Sequence, residues 1–256
     1  MHKKIIVRIA EGLGNQLFMY ANSLALSKKF NCELNIDNTS GYFKKKNQNR
    51  SYILDKFNIS ANLSDKNLRF DNYYLDIKRK YLKKTDFLRK NKRFIIEKLD
   101  DNKKTFFSDH SSGSFSNNIF VEGHFESERY FDNYKNIIKK EFIIKDQFLD
   151  ANNYSKMLSD TNSVSIALRR NRFSEGYKKD NIKSEKFFLN TIDYINKSVE
   201  LVKTKIPNPK FFIWSNDFTD MENYYDPSEF IFIKNVKNKI LNDFDLYVYP
   251  RKLKKP

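Results

Sequence analysis

Residues Lys3-Lys-Ile-Ile-Val-Arg-Ile-Ala10 run into Glu11-Gly-Leu-Gly-Asn-Gln16 and then into Leu17-Phe-Met-Tyr-Ala-Asn-Ser-Leu-Ala-Leu26. The first block is short, apolar and bounded by turn residues, which predicts a buried strand. The second is a glycine-containing turn. The third has apolar residues at 17, 18, 21, 24 and 25, the spacing of one helical face. Cys32 to Ile36 is a further short strand candidate, ending at Asp37. Strand, turn, helix, strand is how a parallel α/β sheet begins.

The rest of the chain continues this alternation less regularly. Phe57 to Tyr74 mixes short apolar clusters with Asn, Asp and Ser, and Ser108 to Asn118 is polar enough to predict a loop. Ile119-Phe-Val-Glu122 predicts a strand, followed by a turn at Gly123-His124-Phe125. Helices are expected over 128–142 and 146–162, the latter linking two domains. Ser163-Val-Ser-Ile-Ala-Leu168 is a buried strand that runs into Arg169-Arg170-Asn171-Arg172. Ser184 to Lys203 carries Phe187, Phe188, Ile192, Ile195 and Val199 on one side of a helix, and Pro207 and Pro209 break it. Phe211 to Trp214 and Glu229 to Ile233 are the last strand candidates. The expected domains are 1–150 and 151–256.

Composition bounds the classes of function. The 256 residues carry 48 Lys+Arg against 32 Asp+Glu, a formal charge of +16. Twenty-four Phe and 15 Tyr supply enough apolar surface for a packed core, and only six Gly and five Pro exclude collagen-like and low-complexity chains. The single cysteine, Cys32, excludes a disulfide framework and a cysteine-based zinc site. Three scattered histidines, His2, His110 and His124, argue against a histidine metal site. No apolar run reaches the ~20 residues that cross a bilayer. The opening Ile5-Ile-Val-Arg-Ile-Ala10 contains Arg8 and is too short for a signal peptide, so a cytoplasmic protein is expected.

The densest basic stretch, Lys78 to Arg93, holds nine cations and one acid, Asp86, with Tyr81, Phe87 and Leu88 among them. It reads first as a solvated helical segment whose apolar residues face the core. A surface for an anionic partner, lipid or polyanion, is the alternative. No nucleic-acid-binding motif accompanies it, so specific nucleic-acid recognition is not expected. The basic tail 251–256 reads as a frayed terminus.

Two places carry chemistry. A Gly-x-Gly turn between a strand and a helix offers backbone N–H groups at a helix start, suited to an anion or a polar sugar. Arginines directly after a buried strand stand where ligands bind in open α/β sheets, and their forked donors match phosphate oxygens. A tight structural turn and a solvated basic loop are the alternatives for each place alone.

Taken together, these segments resemble the α-1,2-fucosyltransferases (glycosyltransferase family eleven). Ile9 to Ala21 resembles that family's G-G-L-G-N-Q-L-F-x-Y-A opening, and Arg50 to Phe57 its R-x-Y-x-L-x-x-F. Glu122 to Phe131 is similar to its G-Y-F-Q-S-E-K-Y-F segment, Val164 to Arg172 to V-S-x-H-x-R-R-x-D, and Phe211 to Asp217 to F-F-x-F-S-D-D. The resemblance implies a GT-B-like fold, two Rossmann-like domains facing a cleft. The N-terminal domain would hold the acceptor, a galactoside or lipid-linked glycan, with Gly12, Gly14, Asn15 and Gln16 lining the cleft. The C-terminal domain would hold GDP-fucose through Arg169, Arg170, Ser215 and Asp217, with Arg169 as the catalytic cation. It further implies an inverting transfer without cofactor or metal, in surface glycan synthesis such as lipopolysaccharide, and a weak electrostatic contact with the inner membrane face.

Three departures from the pattern stand out. Its histidine is Ala167, and its final aspartate is Arg172, preceded by Asn171. Glu11, Glu126 and Glu175 are available carboxylates, but no spacing selects one as general base. The family's terminal N-S-S-F-S-W-W is missing after Asp245-Leu-Tyr-Val248, and the one tryptophan is Trp214. An incomplete C-terminal domain is therefore expected, and a catalytically degenerate member that keeps the fold is the second reading. A basic nucleic-acid-binding or membrane-surface protein is the third.

Overall fold

The computed structural model describes residues 3–44, 50–97, 114–148, 153–174 and 179–234. The chain divides into two compact units, 1–148 and 149–256.

The first unit is built on a five-stranded parallel sheet. Its strands are β1 (Lys4–Arg8), β2 (Glu33–Asp37), β3 (Asn62–Leu63), β4 (Lys92–Ile96) and β5 (Phe115–Glu122), in the order β3-β2-β1-β5-β4. β1 is central, pairing Ile5 with Leu34 on one side and Ile119 on the other. Ile5, Ile6 and Val7 are all buried, as expected of a parallel strand covered on both faces.

Helix α1 (Leu13–Phe30) follows β1 and ends at Asn31, whose left-handed conformation closes the C-terminus. The sequence suggests an apolar stripe, yet every residue from Met19 to Ser27 is buried. This part of α1 is packed on all sides, and the Ser23 and Ser27 hydroxyls bond inside the helix, to the Met19 and Leu24 carbonyls, each at 2.8 Å.

Helix α2 (Tyr73–Lys84) starts at Asn72, whose side chain accepts from the Leu75 N–H at 2.9 Å. It corrects the reading of the basic stretch. Tyr81, Phe87 and Leu88 face outward, whereas Asp76 and Arg79 face inward and are buried. The inward side meets Glu122 at the end of β5, so charges pair there instead of apolar groups packing.

Two further expectations change. Phe115 to Asn118 lie in β5, not in a loop, because the register of Asn118 beside Lys4 overrides their weak strand propensity. Residues 108–113 of that expected loop lie outside the described residues. The helix expected over 128–142 begins at Lys135 and forms α3 (Lys135–Glu141). Ahead of it stand single 3-10 turns at Glu128–Tyr130 and Asp132–Tyr134, where the Ser127 side chain and local Asp and Asn favour turns over helix.

The second unit has a three-stranded parallel sheet in the order β6 (Asn162–Leu168), β7 (Pro209–Ser215), β8 (Phe230–Phe232). Helix α4 (Asn153–Asp160) precedes it, and α5 (Asn181–Lys205) links β6 to β7, started by Asp180 accepting from the Lys183 N–H at 2.8 Å. The helix expected over 146–162 is thus only α4, since Asn162 already pairs with Pro209 as sheet. Phe188, Ile192, Ile195 and Val199 of α5 pack with Phe211 and Ile213, while Phe212 and Trp214 pack with Leu158 on the other face. The expected tail, the missing terminal motif and the incomplete C-terminal domain fall on residues outside the described ones.

Candidate functional site

In the first unit the chain moves outward from β1 through β2 to β3, then returns to place β5 on β1's other side. The strand order therefore reverses beside β1, and in such sheets ligands bind beyond the carboxyl ends at that point. The Glu11–Gln16 bend leaves the sheet there. Gly12 caps α1 with no side chain, and a helix start leaves its first N–H groups without intrahelical partners. Gly14 is exposed, and a Cβ added to it would meet nothing within 4 Å. Asn15 is half-buried beside it. The protein's own packing does not demand glycine at 14.

Gln16 differs from these three. It is fully buried, and its amide donates to the Glu11 carbonyl at 3.0 Å and the Ser51 carbonyl at 2.8 Å while accepting from the Ile53 N–H at 3.0 Å. This corrects the expectation that Gln16 lines a cleft. Its side chain fastens the segment before Leu54 to the start of α1, because a buried amide must satisfy both its donors and its acceptor.

Glu11 is left-handed, with φ 64°. The resembled pattern has glycine at this place, and a glutamate there is strained by roughly 1 kcal/mol. Its carboxylate is ion-paired with Arg50. Glu126 is exposed, and Glu175 lies outside the described residues.

Sequence reasoning missed the charged rim around this bend. Arg8, Asp37 and Glu122 are the last residues of β1, β2 and β5. Arg8 donates to the Ser40 carbonyl at 2.9 Å, and Asp37 accepts from the backbone of Thr39 and Ser40. Arg79 bridges Glu122 at 2.6 Å and Asp76 at 2.7 Å, Lys83 joins Glu122 at 2.6 Å, and Lys44 joins Asp76. Burial alone would raise the Asp76 and Glu122 carboxyls, but these cations hold both below the usual carboxylate range. Neither is suited to take up a proton near neutrality. A charged residue closing an apolar strand was the signal available in the sequence.

In the second unit the carboxyl ends of β6 and β7 bring the expected donor-side residues together. β6 alternates, with Ile166 and Leu168 buried and Ala167 exposed, and Arg169 follows Ala167 two residues on as an exposed side chain. Arg170 turns inward. Its guanidinium donates to the Thr219 carbonyl and lies over the Phe188 ring at 5.0 Å, and its N–H donates to the Asn216 side chain at 2.9 Å. Arg172, where the pattern has aspartate, stacks over the Phe187 ring at 4.9 Å.

Ser215 and Asp217 close the loop that receives Arg170. The Ser215 hydroxyl donates to the Asp217 carbonyl at 2.7 Å and accepts from the Asp217 N–H at 3.1 Å. Asp217 accepts from the Thr219 N–H at 2.9 Å, and that bond, with Arg170 nearby, lowers its carboxyl against the effect of burial. Ser215 is buried, so its hydroxyl holds the turn and does not face a ligand. Of the expected donor-side residues, Arg169 is the exposed cation at the rim.

These two parallel sheets, each with polar side chains gathered past the strands' carboxyl ends, make the chain an α/β protein of the GT-B-like class. The fold is similar to that of the fucosyltransferase NodZ from Bradyrhizobium, with a TM-score of 0.51 over 92% of this chain and 79% of that one at 12% identity. A NodZ α-1,6-fucosyltransferase crystal soaked with GDP-fucose matches with a TM-score of 0.50 over 92% of this chain and 78% of that one at 11% identity. In sequence, the chain is 29% identical to an α-1,2-colitosyltransferase of Escherichia coli over 226 residues, 86% of this chain and 71% of the relative. No family model matches the chain.

Proposed function

We propose that this protein is a fucosyltransferase-like glycosyltransferase using a GDP-sugar. In its specific form, it moves L-fucose from GDP-fucose to a galactose-type hydroxyl, making an α-1,2 linkage with inversion and without metal. The observation that carries the reading is the exposed Arg169 at the carboxyl end of β6, in a chain whose β1 leads into an open glycine bend. The collinear motifs, the colitosyltransferase relative and the NodZ-like fold support it.

The chemistry follows from charge development. As the sugar C1–O bond breaks, the electron pair goes to the diphosphate, while an acceptor oxygen bonds to C1 from the opposite face and gives up its proton. A fixed guanidinium at the diphosphate is worth most in that transition state. Arg169 takes this role. Arg170, held by Thr219 and Phe188, positions the backbone that carries Arg169. The first unit receives the acceptor, with Gly12, Gly14 and Asn15 admitting it closely. A cytoplasmic setting, at the inner membrane face in surface glycan synthesis, belongs to the same proposal. Among the described residues no helix is long and apolar enough to cross a membrane.

A second reading keeps the fold and the nucleotide but not catalysis. Ala167 and Arg172, which replace a histidine and a carboxylate of the resembled pattern, favour it. Release of GDP from GDP-fucose in the presence of β-galactosides, with a colitose donor in parallel, supports the first reading. Calorimetric GDP binding without turnover selects the second. Folded protein that neither binds GDP nor turns over any GDP-sugar overturns both.

A further inference from the structure

Helix α2 is built inside out. At about 3.6 residues per turn, Asp76, Arg79 and Lys83 fall on one side and join the charge network with Glu122. The opposite side presents Tyr73, Tyr74, Ile77 and Tyr81, and the 3-10 turn after the helix adds Phe87 and Leu88. These six side chains are each 66–75% exposed. Large apolar groups clustered in water mark a surface that meets something else.

The cations around them say what. Lys78 and Lys84 stand on the outward arc of α2, Lys80 lies at its edge with its ammonium 3.5 Å from Asp76, and Arg89 and Lys90 follow the turn, all exposed. The outward arc carries no carboxylate, because Asp76 faces inward and Asp86 is buried against the start of β4. The edge of the patch is braced, with the Phe43 ring edge-on to Tyr73 at 5.6 Å.

We propose that this face of α2 docks on an anionic lipid surface. Lysine stems can lie along the apolar groups while their ammonium heads reach lipid phosphates, and tyrosines suit the boundary between headgroups and acyl chains. Two copies meeting through this face would set cations against cations with no acid to balance them. A nucleic acid would match the charge and the tyrosines but leave Ile77 and Leu88 without purpose. The inference rests on the membrane-face setting of the proposed function and gives it a surface, whichever sugar the protein transfers.

The test is co-sedimentation of the full chain with vesicles, either phosphatidylcholine alone or with roughly one-third phosphatidylglycerol. The parent protein should bind the anionic vesicles about tenfold better and lose that margin as salt is raised. An Ile77→Ser, Tyr81→Ser, Phe87→Ser variant and a separate Lys78→Gln, Lys84→Gln variant should each bind at least fivefold more weakly, with unchanged melting temperatures because all these residues are exposed. A Tyr81→Trp variant should show blue-shifted emission on adding anionic vesicles beyond any change in the parent. Vesicle binding that ignores the triple variant overturns the proposal, as does an indole at 81 that stays in water. So does a dimer, or an RNA complex, that needs these side chains while vesicles are ignored.

Discussion

Arg79 of α2 and Glu122 at the end of β5 form a buried ion pair at 2.6 Å, and Arg79 also holds Asp76 at 2.7 Å. A guanidinium serving two buried carboxylates leaves both exposed to its loss. Arg79→Met should destabilise the protein by about 3 kcal/mol, since the carboxylates stay buried with fewer partners. Urea unfolding measures this.

The same network sets an acid limit. The Asp76 and Glu122 carboxyls are held below their unfolded values. Their contribution to stability is therefore complete above the unfolded carboxylate range, about 3.9–4.3, and is lost as pH falls through the lower folded values. An Asp76→Asn, Glu122→Gln variant should be less stable at neutral pH and should show a shallower loss below about pH 4 than the parent. Melting temperatures recorded across pH give the two slopes.

Gln16 and Gly14 separate structure from function within one turn of α1. Gln16→Leu keeps the volume but removes three hydrogen bonds, and should cost about 2–3 kcal/mol. Gly14→Ala meets no neighbour and should leave stability unchanged or raise it by up to about 0.5 kcal/mol. Under the proposed function it should still lower GDP-sugar turnover by about tenfold, because the methyl group stands where a ligand approaches the helix start. Full turnover by the Ala variant would remove Gly14 from the site.

Arg169 and Arg170 should also behave differently. Arg169→Ala, at an exposed position, should shift stability by no more than about 0.5 kcal/mol and lower turnover by about a hundredfold. Arg170→Ala gives up the Thr219 bond and the Phe188 contact, and should cost about 1–2 kcal/mol. Paired melts and GDP-release rates on both variants check the assignment, and the reverse ordering would transfer the charge-stabilising role to Arg170.

Much of the second unit was legible because its signals are local. The apolar run 163–168, the helical spacing of Phe188, Ile192, Ile195 and Val199, and the prolines that follow need no distant partner to be read. The basic stretch 78–93 was not legible in the same way. Which side of α2 turns inward depends on Glu122, more than thirty residues away, and no pattern within the helix records that carboxylate. The polar start of β5 was missed for a similar reason, since a neighbouring strand imposed its conformation.

By itself the sequence determined the opening of the sheet and the places where arginine and glycine stand relative to strand ends, because periodicity and turn chemistry act over a few residues. Only the tertiary structure decided what those side chains touch. It buried Gln16, turned Arg170 onto Phe188 and left Arg169 exposed. It also put the aromatic rings of α2 outside and Asp76 and Arg79 within. The direction of a side chain is set by which partners the fold brings up, and a buried charge or amide takes whichever side offers it hydrogen bonds.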